Sequence, residues 1–371
     1  MAAAEGLRLL LGGDVMLGRG VDQVLPHPGD PALFEDHVRS AEDYVRLAER
    51  SHGAIARPLA FDALWGDALA ALARHPVDLR VVNLETAVTR RGRPAPKGIN
   101  YRMTPDNLPA LTAFDVDAVS LANNHVLDWG EEGLLDTLDA LAGADVALTG
   151  AGRSRAEAEA PAVLARPDGG RLLVFAAALP SSGVPRSWAA RRERPGVAWL
   201  EDLAPATLDA FAARIAAARR PGDAVVVSLH WGPNWGYDVT ALEREFAHGL
   251  IERAGVDVVH GHSSHHPRAV EVHRGKPILY GCGDLVNDYE GIAGAETYRG
   301  DLVLLYVATL AGAAHDCAAF ALLPFRVRRF ALTRPDDADL DWLQGRLNRE
   351  YGRFGGDVVR REDDSFELRW R

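Results

Sequence analysis

Residues 224–262 open with Ala224-Val225-Val226-Val227-Ser228-Leu229-His230-Trp231-Gly232 and close with Val256-Asp257-Val258-Val259-His260-Gly261-His262. Each run is short, rich in β-branched residues and ends in histidine, and the amphipathic stretch 241–253 lies between them. Strand, crossover helix and strand in this order is the sequence form of a parallel βαβ unit. The alternation extends towards the N-terminus, with β-rich runs at 7–11, 79–84, 118–121 and 146–148 and helical periodicity at 63–73 and 131–141. An α/β core follows. Beyond residue 256 the strand candidates come close together, at 269–273, 277–280, 302–309 and 318–325, which predicts an antiparallel portion added to the sheet system. Residues 23–52 and 180–199 read as surface loops or lids. A catalytic unit over 7–330 is expected, followed by a peripheral helix and tail over 331–371.

Composition narrows the function classes. The 371 residues are 47% hydrophobic and 25% charged, as in an ordinary globular protein. Lys plus Arg number 41 against 52 Asp plus Glu, a formal charge of −11, and no basic block gives nucleic acid a footing. Two cysteines, Cys282 and Cys317, make neither a disulfide framework nor a Cys-rich zinc site. No apolar run approaches a membrane span, and the first apolar run leads directly into Gly12-Gly13-Asp14 without a cleavable leader pattern, so a cytoplasmic chain without a membrane anchor is expected.

Five polar segments follow strand candidates: Gly13-Asp14, Asn83-Leu84-Glu85, Asn123-Asn124-His125, His230-Trp231-Gly232 and Gly261-His262-Ser263-Ser264-His265-His266. In open α/β sheets ligands bind beyond the carboxyl ends of the strands, so segments spread over about 250 residues are expected to converge on one site. Asp14 is either a metal-ligating carboxylate or the cap of a following helix. Glu85 has no capping advantage and is the better carboxylate candidate. Asn124 and His125 offer an amide oxygen and a proton-transfer group from one loop. Asp128, three residues before Glu131, suits a helix-capping box first and the orientation of His125 second. A lone His230 would be an ordinary core imidazole, but four imidazoles at His260, His262, His265 and His266 are hard to explain by packing. Oxygen and nitrogen donors without Cys suit one or two divalent ions such as Mn, Zn, Fe or Co. Lys97 and Arg102, in a Gly/Pro-punctuated loop after Glu85, are candidates for holding an anionic substrate group, with solvated loop charges as the alternative. Trp231 is a third substrate-binding candidate. Cys282 reads as a small buried residue, and Asp284 beside it as a supporting group behind the site.

Taken in order, Gly13-Asp14-Val15-Met16-Leu17-Gly18-Arg19, Asn83-Leu84-Glu85, Asn123-Asn124-His125 with Asp128 and Gly130, His230-Trp231-Gly232 and Gly261-His262 with His265 resemble the poly-γ-glutamate capsule-synthesis (CapA-like) family. The resemblance implies a metallophosphatase-like four-layer αββα sandwich with two packed mixed sheets around a two-metal centre. It further implies Asp14, Glu85, Asn124, His230, His262 and His265 as metal ligands and His125 as acid/base. The chain departs from the metallophosphatase pattern at Met16, where that pattern has His, and in the extra residue between its last histidines.

A peptide or small anionic substrate is the expected partner. The resemblance extends to tailoring enzymes of ribosomally made peptides and so implies epimerisation of a peptide such as a lasso-peptide precursor, with His266 joining His125 and Asp128; the surplus imidazoles suit acid/base work on two faces of a carbon. Metal-dependent hydrolysis of a phosphoester or an amide is the alternative, and a non-catalytic, metal-stabilised protein of polymer assembly the third.

Overall fold

The computed structural model describes residues 6–371 and resolves the alternation into two mixed sheets. In the larger, Leu7–Val15 lies at the centre, with Leu79–Leu84, Ala118–Ser120 and Ala147–Thr149 added in parallel on one side. Leu302–Ala311 and Asp316–Arg328 extend it antiparallel on the other, the expected antiparallel portion. Asp284–Val286 pairs in parallel with the end of the first strand. The smaller sheet runs Val270–His273, Lys276–Leu279, Val258–His262, Ala224–His230, Arg171–Ala178 and Ala162–Ala165 in spatial order. Its two histidine-ending strands are parallel neighbours.

Alternation along the strands decides the layering. In Leu302–Ala311 the residues Leu302, Leu304, Tyr306, Ala308 and Leu310 enter the core shared with the smaller sheet, whereas Val303, Leu305 and Val307 enter a second core. That second core is closed by helices Gly66–Arg74 and Gly130–Gly143 through Ala68, Leu72, Leu134 and Leu138. The strand Ala224–His230 is buried along its whole length, as its unbroken apolar run requires. Helices Pro205–Ala218 and Ala241–Ala254 cover the smaller sheet with Leu208, Phe211, Phe246 and Leu250. The result is the αββα sandwich. Ala241–Ala254 has sharp ends: Thr240 and Glu243 form a reciprocal capping box, and Gly255 closes the helix at φ 66°.

The segment 331–371 is not peripheral. Phe366–Trp370 pairs with Asp316–Arg328 and carries Gly356–Arg360 beside it, extending the larger sheet. Helix Asp337–Gly352 buries Leu340, Leu343, Leu347 and Tyr351 in the core between the sheets. At about 2 kcal/mol for each fully buried leucine, this segment contributes to the same core rather than decorating it. Among the described residues no helix is long and apolar enough to cross a membrane. The leader expectation falls partly on residues 1–5, outside the described residues.

Candidate metal centre

Strand register brings the expected segments together. On the larger sheet Asp14 is level with Asn83 on one neighbour and Asp284 on the other. On the smaller sheet His230 is level with His262. The strand ends face each other across the sandwich. His262 Nδ1 lies 3.8 Å from Asp14 Oδ1, and deeper in, His260 Nε2 lies 2.8 Å from the carbonyl oxygen of Gly12.

Asn83 donates through Nδ2 to Asp14 Oδ1 at 2.8 Å and to Glu85 Oε2 at 3.1 Å, fixing both carboxylates. Asp14 is a strand-end acceptor rather than a helix cap, and its Oδ2 receives the backbone N–H of Ser263 at 3.2 Å. Ser263 holds φ 100°, a strained backbone of the kind that clusters at functional sites. On the opposing side, His230 Nδ1 and His262 Nδ1 are 2.8 Å apart, and His230 Nε2 is 3.1 Å from Asn124 Oδ1. Ser228 bridges His262 to His260, which supports the cluster from behind. His265 Nδ1 lies 2.8 Å from Asp284 Oδ1, while Asn287 donates to Asp284 Oδ2 at 2.7 Å.

The donor set fits cations. Asp14, Glu85 and Asp284 are each at most 1% exposed, and among the described residues none is paired with Lys or Arg. Burial, then the charge of Asp284, raises the pKa of Asp14; burial, then Asp14 and Asp284, raises that of Glu85 well above the carboxylate range. Burial holds His230 and His262 well below the ordinary imidazole value, leaving neutral rings with a lone pair to donate. Burial acts the same way on His265, but the charge and hydrogen bond of Asp284 together with the charge of Asp14 outweigh it, so its pKa is raised. Buried, crowded carboxylates facing neutral imidazoles are electrostatically incomplete without positive charge, and a divalent ion would supply it. Within this centre two groupings place their ligand atoms within 4.8 Å of one another: Asp14, His230 and His262, and Asp14, His265 and Asp284. Asp14 is common to both.

Asp284 is the group that motif reading underrated. Met16, at the position where the related pattern carries His, turns its sulfur to the Tyr289 hydroxyl, which donates to it at 3.6 Å. Asp284 reaches the same neighbourhood from a strand 270 residues later. Its signal was an acidic residue in the small-residue run Gly281-Cys282-Gly283-Asp284; Cys282 itself is buried, as expected.

His125 stands beside the cluster with Nε2 3.8 Å from Glu85 Oε1. Its Nδ1 is 2.5 Å from Asp128 Oδ2, which also accepts the N–H of Tyr101 at 2.6 Å. Asp128 therefore orients His125 and caps nothing: the helix begins at Gly130 after Trp129, without a side-chain cap. Lys97 is inside this network, 2.6 Å from Asp128 Oδ1 and 3.2 Å from His125 Nδ1, rather than free to grip a substrate anion. Burial lowers the His125 pKa to about 4, so the ring is neutral at pH 7.

Three expected site residues lie elsewhere. His266 sits in an aromatic nest of Trp235, Tyr237 and Tyr298, and its Nε2 accepts the N–H of Gly236 at 3.1 Å. The chain reverses after His265, so the neighbouring imidazole points away from the centre. Trp231 is a core residue, fully buried, with its indole N–H donating to the Tyr280 carbonyl at 3.0 Å. Arg102 lies over the Trp129 ring at 3.8 Å and donates to the Asp30 carbonyl. Arg19, unremarked as a site residue in the sequence, is 3% exposed, bound to Asp288 and Glu35 and packed on the Tyr44 and Tyr101 rings. With Tyr289 and Trp235 it walls a cleft of about 560 Å³ that reaches His265.

Residues 8–289 match the family model described as bacterial capsule synthesis protein PGA_cap. The chain belongs to this family. Among PGA_cap relatives, a probable polyglutamine synthesis accessory protein of Mycobacterium tuberculosis is 50% identical over 362 residues, covering 97% of this chain and 95% of that protein. The PGA biosynthesis protein CapA of Bacillus subtilis is 27% identical over 281 residues, covering 74% of this chain and 62% of its own length. The capsule biosynthesis protein CapA of Bacillus anthracis is 24% identical over 290 residues, covering 76% and 60%. The family match ends at residue 289, whereas the similarity to the mycobacterial protein extends over nearly the whole chain.

Proposed function

We propose that this PGA_cap protein is a divalent-metal-dependent hydrolase of amide bonds in a glutamyl or glutaminyl polymer, acting beside the system that makes that polymer. The observation that carries the reading is one oriented acid/base imidazole, His125 held by Asp128, at the edge of a buried cluster of carboxylates and neutral histidines. The polymer comes from the names of the relatives, which attach them to polyglutamine synthesis and PGA biosynthesis.

Asp14, Glu85, Asp284, Asn124, His230, His262 and His265 are the residues that would hold the ions. A divalent cation there supplies Lewis-acid activation of the scissile carbonyl and of water. The chain's own part is proton handling and positioning. Asp128 keeps the proton of His125 on Nδ1, so Nε2 faces the cluster as a neutral base. It takes a proton from the attacking water and returns it to the departing nitrogen, balancing the step. Lys97 neutralises Asp128 and stiffens the pair.

Epimerisation needs acid/base groups on two faces of one carbon. With His266 in the aromatic nest its second imidazole is gone, and hydrolysis needs only one. The test is metal-loaded protein incubated with oligo-γ-glutamate, oligo-α-glutamate, oligoglutamine and an aryl phosphate. Amine release that His125→Ala abolishes is expected. Turnover of the aryl phosphate with every amide left intact would make it a phosphoesterase, and no turnover at all would favour an assembly role.

A further inference from the structure

The segment 180–199 touches the metal centre through Ser181, which accepts the Gly232 N–H at 3.1 Å, and through Ser182, which donates to the His230 carbonyl at 2.8 Å. The same segment, with helix Pro205–Ala218, walls a second cleft of about 610 Å³ that no residue of the metal cluster lines. Four arginines line it, Arg155, Arg186, Arg191 and Arg214, against two carboxylates, Glu159 and Glu201. On a chain of net charge −11 this is a local reversal of sign.

The arginines are not consumed by internal pairing. Glu159 is shared between Arg155 Nε and Arg214 Nη2, both at 2.9 Å. Arg186 meets Glu201 only at 3.6 Å, with both side chains well exposed, an arrangement worth little in water. Arg191, among the described residues, has no carboxylate within 4.0 Å. Trp199 and Phe211 form apolar wall between the charges. Guanidinium groups match carboxylates in a bidentate fork, and apolar surface between them suits the methylene stems of acidic side chains.

We infer that this cleft is an accessory binding site for a polycarboxylate chain, engaging one stretch of an acidic polymer while another lies at the metal centre. The assignment rests on the proposed function for the polymer's identity and on the arginine excess for its charge.

The experiment is fluorescence anisotropy of a labelled glutamate decamer with the full-length protein under chelation, which separates binding from turnover. Arg186→Glu with Arg191→Glu should weaken binding by about tenfold or more and flatten its salt dependence. Glu201→Gln, which raises the local positive charge, should tighten binding about two- to threefold, and this opposite sign decides the matter if the double variant fails to fold. A glutamine decamer should not bind comparably. Equal decamer affinity in wild type and variants would overturn the site, and citrate competing as well as the decamer at equal carboxylate concentration would reduce it to a small-anion site. Charge-dependent decamer binding without cleavage in the metal-loaded protein would refute the hydrolase and leave the cleft standing. Cleavage with charge-insensitive binding would do the reverse.

Discussion

Replacing Asp284 by Asn should weaken metal binding while leaving the metal-free protein at least as stable as before, a combination that a merely structural carboxylate would not give. The ligand atoms of Asp14, His265 and Asp284 lie within 4.8 Å of one another in a buried cluster without Lys or Arg partners. Like charges at that separation repel by about 3.5 kcal/mol at an effective dielectric constant of 20, an upper bound because Asp14 and Glu85 take up protons first. Removing one charge relieves part of this. Against it stand the bond from Asn287, now donor facing donor, at about 1 kcal/mol, and the charge of Asp284 on His265 2.8 Å away, at about 1–1.5 kcal/mol. The metal-free melting temperature should therefore stay level or rise by a few degrees. With metal the sign reverses: a hundredfold loss of affinity removes about 2.7 kcal/mol of linked stabilisation, roughly 3–4 °C of the metal-induced shift for a chain of 371 residues. Thermal unfolding with and without chelator, with elemental analysis of bound metal, gives both numbers. A variant that keeps the wild-type metal content and shift, or whose metal-free form collapses, would refute the assignment of Asp284 as a ligand.

Asp128→Asn should retain metal but lower kcat on the oligomer substrate by about 10²–10³, since His125 loses its orienting acceptor; an unchanged rate in a steady-state assay would remove the pair from the mechanism. His266→Phe, in its aromatic nest, should leave metal content unchanged and turnover within about threefold, at a stability cost of about 1–2 kcal/mol for the unmet Gly236 N–H, measured by denaturant unfolding. Metal-free stability should peak near neutral pH. His125, His230, His260, His262 and His266 have lowered values when folded, so their contribution is lost as pH falls below about 6.5. Asp14 and Glu85 have raised values, so their contribution is present at low pH and lost as pH rises through the folded values; metal binding, which needs them ionised, should abolish that alkaline decline in a pH series of melting curves.

Much of the centre was readable because it is written at strand ends. Asp14, Glu85, Asn124, His230, His262 and His265 each close or follow a short β-rich run, and parallel strands deliver their carboxyl ends to one edge. What failed was inference from chain neighbours. His266 adjoins His265 in sequence, yet the backbone bends at both residues, and one imidazole met Asp284 while the other was enclosed by Trp235, Tyr237 and Tyr298. Asp128 looked like a helix cap because Glu131 follows at the right spacing, but the hydrogen bond that fixes its role comes from His125.

The sequence by itself determined the α/β alternation, the family-like motif set and the oxygen and nitrogen donors at strand ends, because these depend on local periodicity and residue chemistry. Tertiary structure alone decided that Asp284 stands level with Asp14 across a parallel pairing 270 residues apart, that Lys97 is tied to Asp128, and that the tail closes the larger sheet. Strand register sets these contacts, and register follows from how both faces of each sheet find their cores, a global condition that no short stretch of sequence contains.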